Sequence, residues 1–251
     1  MATPKEERTV DAFLGGLVTV VQPKKGHRAG LDAALLQALV PANATGRAID
    51  LGAGVGTVGF CVAARAKALS VIGVERDSDL VACGLQALAL PQNASFAKRV
   101  ALNEADATDA ASLTLADKKA DWVLMNPPFA PEGPASPDTR RRAAHQSTPE
   151  LLPAWVSSAK ELLVPGGTIC LIHRADALAE VIATLSAHFG GLRLWPVYPS
   201  ETTPASRLLA TARRGSRAPL TVMPGLVLHA ADGAWTSRAD ALLRGKAELA
   251  V

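Results

Sequence analysis

AIDLGAGVG, residues 48–56, is the stretch that decides how this chain folds. An apolar run leads into three glycines at alternate positions, and residues 57–68 continue with helical spacing. Glycine allows a sharp backbone turn and lets a ligand lie where a Cβ would otherwise stand. A second apolar run, residues 69–74, ends at Glu75. The order strand, glycine turn, helix, strand predicts a Rossmann-like α/β unit that binds a nucleoside-containing cofactor.

Composition and length indicate a globular protein. The 251 residues are 49% hydrophobic and 20% charged, which excludes a disordered chain. We predict one domain over residues 1–251, with a lid at 1–45 and a hairpin and helix extension at 219–251. The polar start and the lack of an apolar run of about 18 residues predict a cytoplasmic protein without membrane spans. Three scattered cysteines predict no metal site and no disulfide framework.

The glycine spacing distinguishes between cofactor classes. The dinucleotide fingerprint G-x-G-x-x-G, counted from Gly52, requires glycine at position 57, where this chain has threonine. Glu75 can accept both hydroxyls of a ribose. Asp50 suits an ammonium group, and such a ligand needs no phosphate-binding turn. S-adenosyl-L-methionine carries both groups and is the predicted cofactor, with Asp50, Gly52, Gly54 and Glu75 as its contacts.

Three further side chains are candidate cofactor contacts. Asp106 follows a short third strand, residues 100–103, where it can accept from the adenine amine or simply cap a loop. Residues 22–30 are a basic loop before a helical pattern at 31–40. Arg28 of this loop is available for a carboxylate, and Asp32 of the helix for an amine. A solvated loop and an ordinary packing helix are the alternative interpretation.

The motif Asn126-Pro127-Pro128-Phe129 is the candidate catalytic site, and it follows the apolar run 122–125. Two consecutive prolines fix φ at roughly −65° and remove two N–H donors, so the carbonyls of Asn126 and Pro127 stand on a stiff corner. The Asn126 amide oxygen is a further acceptor, and the Phe129 ring offers a stacking surface. These groups suit a planar NH2 group, whose nitrogen lone pair is conjugated with the attached ring or carbonyl. When acceptors hold the hydrogens of the NH2 group, that lone pair is freed for attack by the nitrogen on a methyl donor.

Basic residues near these motifs are candidate RNA contacts, in keeping with a net charge of +3. Lys24 and Lys25 lie in the basic loop, and Arg140-Arg141-Arg142 lies in the irregular stretch 130–149. A long irregular stretch beside an active site is a candidate substrate clamp, and arginines there can contact phosphates. Both segments are equally typical of a solvated surface.

The rest of the chain continues the alternation of helices and strands. Ser78 and Asp79 are the predicted caps of the helix at 78–90. Pro165-Gly166-Gly167 is predicted to end the helix at 151–163. The remaining predictions are strands at 18–21, 168–172 and 226–229, helices at 175–189 and 237–243, and an antiparallel edge pair at 192–197 and 207–212.

The glycine turn, Glu75, Asp106 and NPPF together resemble the class I S-adenosylmethionine-dependent methyltransferases that act on exocyclic or amide nitrogen. Finer similarity is to the bacterial tRNA (adenine-N6) methyltransferases that modify the purine 3′ of the anticodon of a valine tRNA. It lies in residues 22–28, 32–36, 163–167, 172–176, 228–233 and 245–249.

The resemblance implies an α/β fold with a seven-stranded sheet, six strands parallel and one antiparallel, and helices on both faces. It implies that Gly52 and Gly54 form the cofactor turn, that Glu75 holds the ribose and that Asp106 meets the cofactor adenine. Asn126 and the Pro127 carbonyl then orient the amine of an adenine in tRNA, and Phe129 stacks on that base after it is flipped out. No metal is required.

Two other functions stay open from the sequence. A protein glutamine or small-molecule N-methyltransferase would use the same acceptors, because a carboxamide also presents a planar NH2 group. A non-catalytic cofactor- or RNA-binding protein is the second alternative.

Overall fold

The apolar runs form strands, and the segments with helical spacing form helices around them. The computed structural model describes residues 7–25, 29–108, 119–128 and 150–249, and elements within these ranges are numbered in chain order. The strands are β1 Arg8–Phe13, β2 Val18–Pro23, β3 Thr45–Leu51, β4 Ala68–Glu75, β5 Val100–Glu104, β6 Ala120–Met125, β7 Leu163–Arg174, β8 Phe189–Ser200, β9 Arg207–Arg214, β10 Thr221–Val222 and β11 Leu226–His229. The helices are α1 Leu31–Leu36, α2 Thr57–Arg65, α3 Ser78–Leu88, α4 Ala94–Ala97, α5 Leu151–Leu162, α6 Leu178–Ser186 and α7 Ser237–Leu243.

Seven strands form the main part of the sheet, in the order β5-β4-β3-β6-β7-β9-β8. Strand β9 is antiparallel to β7 and β8, whereas the pairs from β5 to β7 are parallel. This is the arrangement of six parallel strands and one antiparallel strand that the resemblance implies. The short strands β10 and β11 also pair with β8, so the described sheet has nine strands rather than seven.

The central strands of the sheet are buried on both faces, which explains why these parallel strands are nearly continuous apolar runs. Ala48 of β3 belongs to an apolar cluster with Leu35 of α1 and Phe60 of α2. Ile49, the next residue, belongs to a second cluster with Trp155 of α5. Alternate residues of β3 therefore face the two helical layers, and this strand lies at the centre of the protein core.

The predicted strand at 18–21 is part of a hairpin, because β1 and β2 pair antiparallel in a separate two-stranded sheet. The fully buried carboxamide of Asn93 attaches this hairpin to the end of α3. Its oxygen accepts from the N–H of Thr19 at 2.9 Å, and its nitrogen donates to the carbonyls of Thr19 at 2.7 Å and Ala87 at 2.8 Å. Residues 7–25, part of the predicted lid, are thus packed against the body of the protein.

Helix ends differ from the predictions where side chains outside the helix satisfy its terminal groups. Helix α2 ends at Arg65 rather than at residue 68, and the Arg99 guanidinium donates to the carbonyls of Ala63 and Ala66 at that end. The predicted caps of α3 are wrong. Its N-cap is Asp77, whose carboxylate accepts from the first-turn N–H groups.

Strand pairing explains the other differences. Pro165-Gly166-Gly167 was predicted to end a helix at residue 163, but the helix ends at Leu162 and these residues already belong to β7, where Leu163 pairs with Ala120 of β6. The helix predicted at 175–189 is shorter because Phe189 already pairs with Arg214 of β9. The predicted antiparallel pair exists, although β9 lies inside the sheet rather than at its edge. No helix within the described ranges has the length and apolar character needed to cross a bilayer.

Candidate active site

Three predicted site segments follow neighbouring strands at one edge of the sheet. Leu51 of β3 pairs with Val74 of β4 on one side and with Met125 of β6 on the other. Gly52 follows Leu51, Glu75 follows Val74, and Asn126 follows Met125. Neighbouring strands of a sheet lie about 4.8 Å apart, so these three residues are close together. The chain winds outward from β3 to β5 and then returns to β6 on the opposite side of β3. Ligands of open α/β sheets bind at such a switch point, at the carboxyl ends of the strands.

The glycines between β3 and α2 have different roles. Gly52, Gly54 and Gly56 all have positive φ, a backbone conformation that residues with a side chain rarely adopt. A Cβ on Gly52 would lie 2.1 Å from Cη2 of Trp155, so this glycine is required for packing against α5. A Cβ on Gly54 would meet no atom of the described residues within 4 Å, so among these residues its backbone borders open space. Of these two predicted cofactor residues, only Gly54 leaves open space for a ligand beside its Cα.

Glu75 is attached to the glycine turn. Its Oε2 accepts from the N–H of Gly54 at 2.8 Å, and its Oε1 accepts from the N–H of Asp77 at 2.9 Å. These bonds fix the carboxylate beside the open space at Gly54. Each oxygen keeps another lone pair, which is what a ribose hydroxyl would use.

Asp50 lies beneath the turn rather than beside the open space. Its side chain is buried on the α2 face, and Oδ2 accepts from the N–H of Gly59 at 2.9 Å. Burial, helped by the charge of Glu75, raises the pKa of Asp50 to about 7 against the lowering effect of the Gly59 bond. The carboxyl group therefore ties β3 to the first turn of α2, and a role toward an ammonium group stays a prediction.

Asp106 lies beyond the end of β5, next to β4, because Glu104 pairs with Glu75. Its Oδ1 accepts from the N–H of Thr108 at 2.8 Å and from the Thr108 hydroxyl at 2.7 Å. The bond from the Thr108 N–H is the main reason why the pKa of Asp106 is lowered. The carboxylate is ionised and held in one orientation on the same edge as Glu75.

The proline corner follows β6 directly. Asn126 and Pro128 are half-buried and Pro127 is buried, while Phe129 lies outside the described residues. The side chain of Asn126 has no hydrogen-bond partner among the described residues. Its carboxamide is thus available to a ligand beside the strand that carries the glycine turn.

Two candidate site residues of the predicted lid form ion pairs within the protein. Asp32 accepts from Nε of Arg207 at 3.0 Å, so its carboxylate is paired with β9, and a role toward a cofactor amine stays a prediction. Lys24 pairs with Glu7 at 2.8 Å between exposed side chains, and Lys25 is exposed. Arg28 and Arg140-Arg141-Arg142 lie outside the described residues.

Sequence reasoning missed two residues that shape this edge. Trp155 fills the space beside Gly52, and its only signal was an apolar position in a predicted helix. Arg207 is paired with a carboxylate 175 positions away, a contact that no local pattern could indicate. No cluster of residues that could hold a metal ion occurs in the described part of the chain.

Comparison with known proteins gives the family. A family model, the methyltransferase small domain, matches residues 28–195, which include both the glycine turn and the proline corner. The chain belongs to this family. The predicted fold class and the prediction of a methyltransferase that uses S-adenosyl-L-methionine are confirmed.

Curated relatives of this methyltransferase span most of its length. A tRNA1(Val) (adenine(37)-N6)-methyltransferase of Dickeya chrysanthemi is 27% identical over 232 residues, covering 90% of this chain and 89% of the relative. A protein of the same name from Parabacteroides distasonis is 29% identical over 194 residues, covering 76% and 78%. A crystal structure of a predicted O-methyltransferase from Agrobacterium tumefaciens has a TM-score of 0.74 and 33% identity, covering 88% of this chain and 99% of that one.

Proposed function

We propose that this methyltransferase transfers a methyl group from S-adenosyl-L-methionine to the exocyclic N6 amine of an adenine in tRNA. The observation that carries the proposal is the pairing of Leu51 with Met125, which sets the proline corner beside the glycine turn. The names and coverage of the relatives support tRNA as the substrate. The cytoplasm, where tRNA occurs, stays the predicted compartment.

The residues at the sheet edge fit the cofactor. The open space at Gly54 gives room for a nucleoside, and Glu75 is held there with lone pairs for the ribose hydroxyls. Asp106, just beyond the end of β5, is the proposed acceptor for the adenine amine. When bound, S-adenosyl-L-methionine supplies a methyl group activated by a sulfonium.

The proline corner prepares the acceptor nitrogen. The Asn126 oxygen and the Pro127 carbonyl accept from the hydrogens of the target amine, which draws its lone pair out of conjugation with the ring. With the cofactor bound, the amine nitrogen would form the new C–N bond as the C–S bond of the sulfonium breaks. The electron pair of the broken bond would stay on sulfur, and the nitrogen would lose one proton to solvent. Phe129 is the proposed stacking surface for the flipped base. Within the RNA-binding prediction, Lys24, Lys25 and Arg140-Arg141-Arg142 contact phosphates, and Arg28 binds the cofactor carboxylate.

Oxygen methylation, suggested by the name of the Agrobacterium tumefaciens protein, fits the described site less well. A hydroxyl acceptor needs a general base within hydrogen-bond reach. Asn126 is not a base, Asp50 is buried beneath the turn, and this proposal assigns the carboxylates of Glu75 and Asp106 to the cofactor. A carboxamide acceptor, as in a protein glutamine or small-molecule N-methyltransferase, fits the same corner and is the second candidate.

The test is incubation with S-adenosyl-L-methionine labelled in its methyl group and with unmodified tRNA, followed by digestion to nucleosides. We expect the label in N6-methyladenosine. Asn126→Ala should lower transfer by about 100-fold or more, the size of effect seen when one preorganised polar group is removed from such a site. Its affinity for S-adenosylhomocysteine should stay near that of the wild type. Label in guanosine, or in added protein but not in tRNA, would overturn the proposal.

A further inference from the structure

Two arginines stand directly opposite each other beside the candidate active site. Arg174 is the last residue of β7 and Arg207 is the first residue of β9, and they are register partners in the antiparallel pair. Residues opposite each other in such a pair point to the same face, with Cβ atoms about 4.5–5.5 Å apart. Cationic side chains that stand directly opposite each other destabilise a sheet, and nearby carboxylates lower that repulsion.

Each arginine has its own carboxylate. Arg174 donates from Nε to Oδ1 of Asp176 at 2.9 Å and from Nη2 to Oδ2 of the same side chain. Arg207 donates from Nε to the two oxygens of Asp32 at 3.0 and 3.1 Å. The arginine side chains are 24% and 33% exposed, so both are partly accessible to solvent.

The pair lies next to the proline corner. Leu171 of β7 pairs with Met125 of β6, the residue before Asn126. Arg174 is three residues farther along β7 than Leu171, so it lies about 10 Å beyond Leu171 in the strand direction. Arg174 and Arg207 therefore lie on the strands beyond β6, on the side away from Glu75 and the glycine turn.

We infer that Arg174 and Arg207 bind a backbone phosphate of the RNA next to the flipped base, and that Asp176 and Asp32 hold the guanidinium groups in place until the phosphate displaces them. This inference rests on the proposed function. A guanidinium group matches the planar, two-oxygen edge of a phosphate as well as that of a carboxylate, so exchange of one anion for the other keeps the hydrogen bonds. The paired carboxylates also lower the repulsion between the arginines in the free protein.

The two sides of each ion pair have opposite expected effects, which makes the inference testable. Binding of tRNA in the presence of S-adenosylhomocysteine is measured by fluorescence anisotropy at several salt concentrations. Arg174→Gln and Arg207→Gln should each weaken binding about tenfold and should reduce the slope of log K against log salt by about 0.7 to 0.9. Asp176→Asn should tighten binding several-fold, because it removes the anion that competes with phosphate.

Arg213→Gln is the matched control. Arg213 lies on the same strand as Arg207 but at the other end, where it donates to the carbonyl of Gly166. This variant should keep the wild-type affinity and salt slope. Circular dichroism and the affinity for S-adenosylhomocysteine show whether each variant is folded.

The outcomes separate this inference from the proposed function. If Asp176→Asn weakens tRNA binding as much as Arg174→Gln does, the ion pair is only structural and the inference is overturned. The same holds if the wild type methylates tRNA and both arginine variants keep its salt slope, since the proposed function would then stand without the phosphate contact. A wild-type protein that neither binds nor methylates tRNA overturns the proposed function itself.

Discussion

Alanine at Gly52 and alanine at Gly54 should separate stability from cofactor binding. Both glycines have positive φ, +67° and +58°, which costs an alanine about 1–2 kcal/mol. At Gly52 the new Cβ would also lie 2.1 Å from the Trp155 ring, and such overpacking costs about 1–3 kcal/mol more. Gly52→Ala should therefore lower the free energy of unfolding by roughly 2–5 kcal/mol, and Gly54→Ala by only about 1–2 kcal/mol.

The effect on the cofactor should have the opposite order. The Cβ of Gly54→Ala enters the open space beside Glu75 and should weaken binding of S-adenosylhomocysteine by at least about tenfold, or about 1.4 kcal/mol. Urea denaturation gives the free energies of unfolding, and isothermal titration calorimetry gives the affinities. If Gly54→Ala binds S-adenosylhomocysteine like the wild type, the cofactor does not lie against this glycine. If Gly52→Ala is as stable as Gly54→Ala, the contact with Trp155 does not require a glycine.

Two further predictions concern stability. The native pKa of Asp50, raised to about 7 from an ordinary 3.8, means that the native state keeps a proton which the unfolded state has released. The free energy of unfolding should therefore fall as pH rises from about 4 to about 7. Asp50→Asn should flatten this decline in denaturation curves taken across that range, and an unchanged decline would mean that other groups cause it. Asn93→Ala leaves the buried N–H of Thr19 without its partner and should lower the free energy of unfolding in urea by about 1–3 kcal/mol. The exposed control Gln92→Ala should lower it by under about 0.5 kcal/mol, and equal losses would show that Asn93 does not anchor the hairpin.

Local sequence patterns predicted the parts of the site that local sequence builds. The glycine turn needs positive φ at every second position from 52 to 56, and only a glycine-rich stretch adopts this conformation easily. The stiff corner at Asn126 follows from the two prolines themselves. Both motifs come at the ends of apolar strands, so the order of elements was enough to predict that they share one edge of the sheet.

Contacts between distant residues were not predictable in this way. The pairing of Asp32 with Arg207 and the anchoring of Thr19 by Asn93 depend on how the layers pack. The same applies to Trp155, because an apolar residue in a helix does not reveal which backbone it will touch. Asp50 shows the limit most clearly: the sequence places it next to the glycine turn, yet strand alternation points its side chain toward α2.

Mass spectrometry of the nucleosides in total tRNA tests the central claim most directly. Cells that lack this protein would be compared with the same cells carrying the wild type or Asn126→Ala. We predict that N6-methyladenosine is lost from tRNA without the protein, returns with the wild type and stays absent with Asn126→Ala. Equal amounts of N6-methyladenosine in all three would contradict the claim that the corner at Asn126 presents an adenine amine for methylation.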